Sequence, residues 1–331
     1  MVAMTYRDAL KQALRDAMTE DDSVVVIGEE VGRYGGAYGV TKGLYEEFGA
    51  DRMIDTPISE PAIVGAAVGA AMAGMRPVAE LMYVDFIGMT MDQLGNQAAK
   101  IRYMFGGQIG VPMVLRTQGG TGRSAGAQHS QSLEAYVMHT PGLRLVMPAT
   151  VADAYHLLRQ ALRQPDPVVF IEHKALYTLK EDVDLAAPVP GWGQAAVRRT
   201  GDDLVIVTYS RQVHHAMAAA DALSAQGIEA TVIDLRCLNP LDFDTVRAEV
   251  ERIGRVMVLS EGVMTAGVGA ELSARIHEEC FDFLHEPVIR LCGEDIPISV
   301  SVELEKHSVP TTELVRSMAE RLVGRHRGRA A

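Results

Sequence analysis

Short apolar runs alternate with segments of helical periodicity along most of the chain. The run SVVVIG at 23–28 is rich in β-branched residues, which is typical of a buried strand. Apolar residues recur three and four positions apart across 5–18, which predicts an amphipathic helix with Thr5 as its N-cap. Comparable patterns predict strands at 52–55, 77–82, 112–116, 143–148 and 167–172, and helices at 61–74, 91–101 and 151–163.

The alternation stops at KEDVDLAAPVPGWG, an acidic and proline-rich stretch that is typical of a linker. Beyond it we expect strands at 204–209, 230–235, 256–260 and 287–291, and helices at 213–225, 243–252, 267–278 and 312–323. Strands that alternate with helices indicate parallel sheets covered on both faces. The pattern therefore predicts an α/β fold with two doubly wound domains of unequal size, at 1–180 and 201–331, joined by a linker at 181–200.

Length and composition fit two soluble domains. The chain has 331 residues and a formal net charge of -12, which argues against nucleic acid or an anionic membrane as the main partner. The longest uncharged apolar run, 62–75, is shorter than the roughly 20 residues that span a bilayer. The N-terminus does not resemble a secretory signal, and the three cysteines form no C-x-x-C pair. We expect a cytoplasmic protein.

Two glycine-rich loops are candidate ligand sites. The first, GEEVGRYGGAYG at 28–39, is not a G-x-G-x-x-G motif, and the second, TQGGTGRSAGAQHSQS at 117–132, lacks the G-K-[ST] ending of a phosphate-binding loop. Both are therefore interpreted first as structural loops, in which glycine supplies unusual backbone angles. The ten histidines show no zinc-type spacing, and no G-x-S-x-G nucleophile motif is present.

Two single residues remain as candidates for chemistry. Glu60 lies in DTPISEP, directly before a run of small apolar residues, and His129 lies in the second glycine-rich loop. The simpler interpretations are a carboxylate favoured by a helix dipole and a loop histidine bonded to the backbone. The catalytic alternatives are a carboxyl kept largely protonated by apolar surroundings, and a histidine at the carboxyl end of a strand, where α/β sheets bind ligands.

Several motifs, in order along nearly the whole chain, resemble the beta subunit of thiamine-diphosphate-dependent 2-oxo acid dehydrogenases. They are GEEVGRYGGAYGVTKGL, DTPISEPAIVGAAVGAAMAGMRPVAE, NQAAKIRYMFGG, AQHSQSLEA, PGLRLVMP and DPVVFIEHKALY, followed by VIDLRCLNPLD and GRVMVLSEG. The resemblance implies a transketolase-like pyrimidine-binding domain for thiamine diphosphate and a smaller transketolase-like C-terminal domain with a mostly parallel sheet.

The resemblance also assigns roles to individual residues. Glu60 matches the glutamate that shares a proton with N1′ of the cofactor's aminopyrimidine, which fits the tuning of other catalytic carboxyl groups. Phe86 matches an aromatic ring that stacks on the pyrimidine, and Glu29 belongs to the same cofactor-binding set. His129 matches a histidine that serves proton transfer or stabilises an intermediate around the lipoyl substrate.

Metal ions are divided between two chains in the proteins that this sequence resembles. The chain lacks the G-D-G motif and the later asparagine pair that bind Mg²⁺, so we expect no magnesium site here and expect the alpha subunit to hold Mg²⁺ and the diphosphate. Relatives also carry a structural potassium ion, bound in part by backbone carbonyls. The matching positions are Met113, Ala161, Leu162, Gln164 and Asp166, where glutamine replaces the usual aspartate at the fourth.

The function implied by the resemblance is that of an oxidoreductase active only with an alpha subunit, in an assembly of two alpha and two beta chains docked on a lipoyl acyltransferase core. Pyruvate is the expected substrate, and acetoin and branched-chain 2-oxo acids are the alternatives. NAD is not expected to bind. A non-catalytic scaffold and a self-sufficient nucleotide-binding enzyme are the rivals from other classes. Glu60, Phe86 and His129 argue against the first, and the missing nucleotide motifs argue against the second.

Overall fold

A computed structural model describes residues 1–329, with side-chain surroundings as far as Gly324. The chain forms two compact units. Unit 1 comprises 1–119 and 136–192, and unit 2 comprises 120–135 and, among the described residues, 193–329. The second glycine-rich loop, which the sequence-based division places in the domain at 1–180, therefore packs with the C-terminal unit.

Unit 1 is built on a parallel sheet with helices and a short antiparallel ribbon. Its strands are β1 (Val2–Thr5), β2 (Val24–Gly28), β3 (Met53–Asp55), β4 (Arg76–Leu81), β5 (Val114–Gly119), β6 (Arg144–Val146), β7 (Val168–His173) and β8 (Lys180–Val183). Its helices are α1 (Tyr6–Glu20), α2 (Leu44–Phe48), α3 (Glu60–Met72), α4 (Ala99–Met104), α5 (Glu134–Met138), which begins in unit 2, and α6 (Val151–Ala161). The segments Val84–Thr90 and Lys174–Leu176 are 3-10 helices, and Asp92–Ala98 is π-helical.

The main sheet of unit 1 places its strands in the order β6-β7-β5-β4-β2-β3, all parallel. Two register pairs matter for the site: Gly28 lies opposite Glu80, and Glu80 lies opposite Arg116. Because all these strands run in one direction, their carboxyl ends meet at one edge of the sheet, where ligands bind in open α/β folds.

Helix α1 shows why the predicted amphipathic pattern forms a helix. The side chain of Thr5 accepts a hydrogen bond from the Asp8 amide at 3.1 Å, so the predicted N-cap is confirmed. Its apolar stripe is buried in unit 1 at Tyr6, Ala9, Leu10, Ala13, Leu14, Ala17 and Met18. The antiparallel pair of β1 with β8, in register from Val2 and Val183 to Thr5 and Lys180, was not predicted.

Unit 2 contains a smaller sheet and its own helices. The strands that lie in this part of the chain are β9 (Ala196–Arg199), β10 (Leu204–Thr208), β11 (Ala230–Asp234), β12 (Cys237–Asn239), β13 (Val256–Val263) and β14 (Ile289–Gly293). Its helices are α7 (Gln212–Ser224), α8 (Phe243–Ile253), α9 (Val268–Cys280), α10 (Val302–Lys306) and α11 (Thr312–Arg329), with a 3-10 turn at Phe281–Phe283. β8 and β9 both reach into the range 181–200, which the sequence analysis assigns to a linker.

Five strands of unit 2 follow the order β14-β13-β10-β11-β9, and β9 is antiparallel to β11. Helices α7 and α11 cover one part of this sheet through an aliphatic core that includes Ile206, Val232, Ala216 and Leu322. The predicted fold class, two α/β domains with mostly parallel sheets, is confirmed. Within residues 1–329, no helix is both long and apolar enough to cross a membrane.

Candidate active site

Glu60 is the first residue of α3, and Pro61 follows it in the first turn. Proline is tolerated there because its missing N–H has no partner within the helix. The Glu60 side chain is 7% exposed. The Ser59 side chain makes no capping bond to the helix. The helix dipole favours a negatively charged group at this end, and Glu60 is the carboxylate there. Glu60 is therefore a carboxylate at a helix start, as the simpler interpretation has it. Unlike a typical surface residue at such a position, it is buried.

Glu29 is the second buried carboxyl group of this part of unit 1. It follows β2 directly and is 7% exposed. Burial raises the pKa of Glu29, and the negative charges of Glu60, Glu30 and Glu80 raise it further. Glu29 and Glu60 thus lie close enough to interact electrostatically, and the arrangement favours a proton on Glu29.

Phe86 lies in the 3-10 segment that follows β4. Its ring is half-buried and meets the Tyr83 ring edge-on, with the ring centroids 6.0 Å apart. Tyr83 in turn meets Tyr38 edge-on at 6.2 Å. The two pairs fix the aromatic side chains beside the carboxyl end of β4, and Phe86 keeps part of its ring accessible for stacking.

An arginine with two carboxylates lies under this edge of the sheet. Arg116 on β5 is 1% exposed and forms ion pairs with Glu80 on β4 and Glu172 on β7. The hydroxyl of Tyr177 also donates to Glu172. Burial lowers the pKa of Arg116, but Glu172 and Glu80 more than offset this and hold that pKa well above its ordinary value. The Glu80 side chain thus carries a paired charge next to Glu29.

His129 belongs to unit 2, whereas Glu29, Glu60 and Phe86 belong to unit 1. The histidine is half-buried in the second glycine-rich loop, and its main-chain amide donates to the Gly126 carbonyl at 3.3 Å. The structure therefore brings together the three predicted cofactor-binding residues within one unit and places the predicted lipoyl-site histidine on the other.

The five predicted potassium ligands all lie in unit 1. Carbonyl oxygens suit potassium, but Nη1 of Arg76 donates to the carbonyls of Leu162 and Gln164, at 2.9 and 3.4 Å. The Asp166 carboxylate accepts from Arg102 and Arg144. A cationic side chain thus already contacts two of the carbonyls that an ion would use. Across residues 1–329, no group of three or more His, Cys, Asp or Glu side chains is arranged to hold a metal ion.

Models of two known domain families match the two halves of the chain. The transketolase pyrimidine-binding domain model matches residues 2–180, and the transketolase C-terminal domain model matches 193–315. The pyruvate dehydrogenase E1 component subunit beta of Rhizobium meliloti is 43% identical over 94% of this chain and 68% of its own. The acetoin:2,6-dichlorophenolindophenol oxidoreductase subunit beta of Cupriavidus necator is 43% identical over 98% of this chain and 99% of its own. This chain belongs to the family of E1-type beta subunits.

Membership of the E1 beta family confirms the resemblance found in the sequence. Among solved structures, a split-gene transketolase in an inactive beta4 tetramer superposes with a TM-score of 0.80 at 19% identity, over 97% of this chain and 98% of that one. At that identity the similarity concerns the fold alone.

The buried ion-pair group of Glu80, Arg116 and Glu172 in this E1 beta chain was not predicted from the sequence. A signal was present, since each of the three is the one charged residue of an otherwise apolar predicted strand, Glu80 within its strand and Arg116 and Glu172 at the last position of theirs. Charged side chains are almost never fully buried unless they are paired. Three such strands in one parallel sheet could therefore have indicated a buried network, although the pairing itself depends on strand order and register.

Proposed function

We propose that this chain is the beta subunit of a thiamine-diphosphate-dependent 2-oxo acid dehydrogenase that acts with an alpha subunit and passes an acyl group to a lipoyl acceptor. The observation that carries the proposal is the pair of buried carboxyl groups, Glu29 directly after β2 and Glu60 at the first position of α3. Carboxyl groups whose pKa is raised by burial and by neighbouring charges, as at Glu29, cluster at functional sites.

The residues present fit the pyrimidine end of the cofactor. Thiamine diphosphate supplies, when bound, a nucleophilic carbon that holds the electron pair left by decarboxylation. Glu60 would share a proton with N1′ of the aminopyrimidine, and Phe86 would provide the stacking surface. Burial and the charge of Glu60 both raise the pKa of the neighbouring Glu29. Burial of both carboxyl groups keeps water from competing for that proton.

The surface of α3 supports a partner chain. This helix is apolar around its whole circumference, yet Pro61, Ala62, Ala66 and Gly69 are exposed. Helices that are apolar on all sides are normally buried. We propose that an alpha subunit covers this face, binds Mg²⁺ and the diphosphate, and forms an assembly of two alpha and two beta chains on a lipoyl acyltransferase core.

Pyruvate is our proposed substrate, because pyruvate dehydrogenase beta subunits are prominent among the similar proteins. Acetoin is the second candidate, because the Cupriavidus necator acetoin:2,6-dichlorophenolindophenol oxidoreductase subunit beta matches over essentially its whole length at the same identity. Branched-chain 2-oxo acids complete the substrate panel. We also propose a cytoplasmic location, supported by three buried cysteines that form no disulfide.

Potassium binding is proposed at the carbonyls of Met113, Ala161, Leu162, Gln164 and Asp166. An ion there would compete with Arg76 for the carbonyls of Leu162 and Gln164. A melting temperature that is higher in potassium chloride than in sodium chloride, at equal ionic strength, would support the site. Equal melting temperatures in the two salts would contradict it.

The test of the function uses the chain alone and the chain reconstituted with its alpha subunit. The chain alone should oxidise no 2-oxo acid, and the reconstituted pair should turn over one member of the substrate panel. In that pair, Glu60→Gln should lower turnover by at least about 100-fold, the scale of acid–base contributions. Glu46→Gln, on an exposed carboxylate of α2, is the matched control. Wild-type turnover by Glu60→Gln would refute the assignment, and turnover without an alpha subunit would refute the shared site.

A further inference from the structure

The loop that carries His129 contains a residue other than glycine in the left-handed backbone region, which is energetically unfavourable. Its ends are joined by a bond from the Gly120 amide to the Gln131 carbonyl, at 3.0 Å. Within it, Gly122 and Ser124 both have positive φ, 93° and 51°. Serine in that region is uncommon, and such residues persist when their surroundings hold them in place.

Glu305 on α10 holds the first half of the loop. The side chain is 5% exposed, and its Oε1 accepts from the amides of Gly122 and Ser124, at 2.9 and 3.2 Å. Its Oε2 accepts from the Ser124 amide at 3.2 Å and from the Ser124 hydroxyl at 3.3 Å. A carboxylate that accepts several main-chain N–H groups forms charge-assisted bonds, which are stronger than neutral ones.

Glu261 on β13 holds the start of the same loop. It is 8% exposed, and its Oε1 accepts from the Thr121 amide at 2.6 Å and from the Thr121 hydroxyl at 2.8 Å. Arg211 also donates to that hydroxyl, at 3.2 Å. Two buried carboxylates from separate elements thus bind consecutive parts of the loop, upstream of the Gly126–His129 turn.

We infer that Glu305 and Glu261 are positioning residues, which fix the loop so that the His129 imidazole is placed for the lipoyl-dependent step. This inference rests on the proposed function of His129. Neither carboxylate is expected to contact the substrate. Their effect passes through the loop backbone, from Thr121 and Ser124 to the Gly126–His129 turn and the closing bond at Gln131.

The experiment compares two assays of the reconstituted enzyme. One follows reductive acylation of a lipoyl domain, and the other follows decarboxylation with an artificial electron acceptor. Glu305→Gln should lower the lipoyl-dependent rate by about 10-fold or more, the scale for a misplaced catalytic group. Decarboxylation should change by less than about two-fold. Glu303→Gln is the matched control, because Glu303 lies on the same helix with its side chain 77% exposed.

A double variant separates this inference from the proposed function. If Glu305 acts through His129, adding Glu305→Gln to His129→Ala should cause no further loss in the lipoyl-dependent rate. Multiplied losses would overturn the inference, as would a Glu305→Gln variant that retains the wild-type rate. If His129→Ala alone leaves the lipoyl-dependent rate unchanged, the proposed role of His129 fails instead.

Glu261→Gln provides the second variant if Glu305→Gln does not assemble with the alpha subunit. It should show the same selective loss of lipoyl-dependent rate, with a melting temperature near that of the wild type. Equal losses in the two assays would indicate general damage to the fold and would overturn the positioning role.

Discussion

The carboxylate of Asp55 accepts a hydrogen bond from the main-chain amide of Gly32 at 2.6 Å. A β-carbon added at Gly32 would lie 2.6 Å from Asp55 Oδ2, so a larger residue at position 32 would displace the Asp55 carboxylate. Asp55 ends β3, five positions before Glu60, and Gly32 lies three positions after Glu29. The bond therefore ties together the two segments that carry the paired carboxyl groups.

Asp55→Ala should weaken thiamine diphosphate binding by the reconstituted enzyme. Loss of one hydrogen bond of about 1 kcal/mol corresponds to roughly a five-fold higher dissociation constant. Asp51→Ala is the control, because Asp51 is also an exposed aspartate but lies two positions before β3, away from the Asp55–Gly32 bond. Titration of cofactor against activity provides the measurement, and equal cofactor affinities for the two variants would show that the Asp55–Gly32 bond does not order the site.

Glu29 should make the stability of the chain depend on pH. Its pKa is raised above the ordinary value of 4.5, so the folded chain binds the proton more tightly than the unfolded chain. This stabilisation is complete below the unfolded pKa and is lost as the pH rises through the folded pKa. Glu29→Gln should therefore gain melting temperature relative to the wild type as the pH increases above about 4.5.

Melting temperatures of Glu29→Gln, the wild type and Glu46→Gln, measured across that pH range, test this prediction. The exposed control Glu46→Gln should follow the wild type. A constant difference between Glu29→Gln and the wild type at every pH would mean that the proton affinity of Glu29 does not differ between the folded and the unfolded chain.

Glu172→Gln should be strongly destabilising. It leaves the buried Arg116 guanidinium with one of its two anionic partners, and breaking a buried ion pair costs about 3–5 kcal/mol. Glu303→Gln removes an exposed ion pair with Lys306 and should cost less than about 1 kcal/mol. Urea denaturation gives both free energies of unfolding, and similar values for the two variants would contradict the importance of the buried group.

Tyr209→Phe should destabilise unit 2 by about 1–3 kcal/mol, because it leaves a buried acceptor without its donor. The Tyr209 hydroxyl donates to Glu134 Oε1 at 2.7 Å, and both side chains are buried. Burial raises the pKa of Glu134, and the Tyr209 hydrogen bond lowers it.

A double-mutant cycle with Glu134→Gln measures the coupling between these two side chains. The cycle should give a coupling energy of at least about 0.5 kcal/mol, as is usual for residues in contact. Additive losses of unfolding free energy would show that the pair is not coupled.

Much of the fold follows from local patterns in the sequence. Thr5 and the apolar stripe behind it predict α1 because a cap and a 3.6-residue period are properties of neighbouring residues. The predicted helix at 61–74 is observed at Glu60–Met72, and its start follows from a different local feature, because proline suits the first turn of a helix. Glu60, Phe86 and Glu29 were identified by motif, and the structure places all three in unit 1.

Pairings between distant residues were decided by the tertiary structure. No local period indicates that β1 pairs with β8, or that Glu80, Arg116 and Glu172 meet, because these contacts depend on strand order and register. The electrostatic environment is also tertiary, since the proton affinity of Glu29 depends on Glu60, Glu30 and Glu80 as neighbours. The sequence by itself determined most of the main strands and helices and named the candidate reactive groups, because these depend on local patterns and motifs. Only packing decided that His129 lies on a loop held by carboxylates of unit 2.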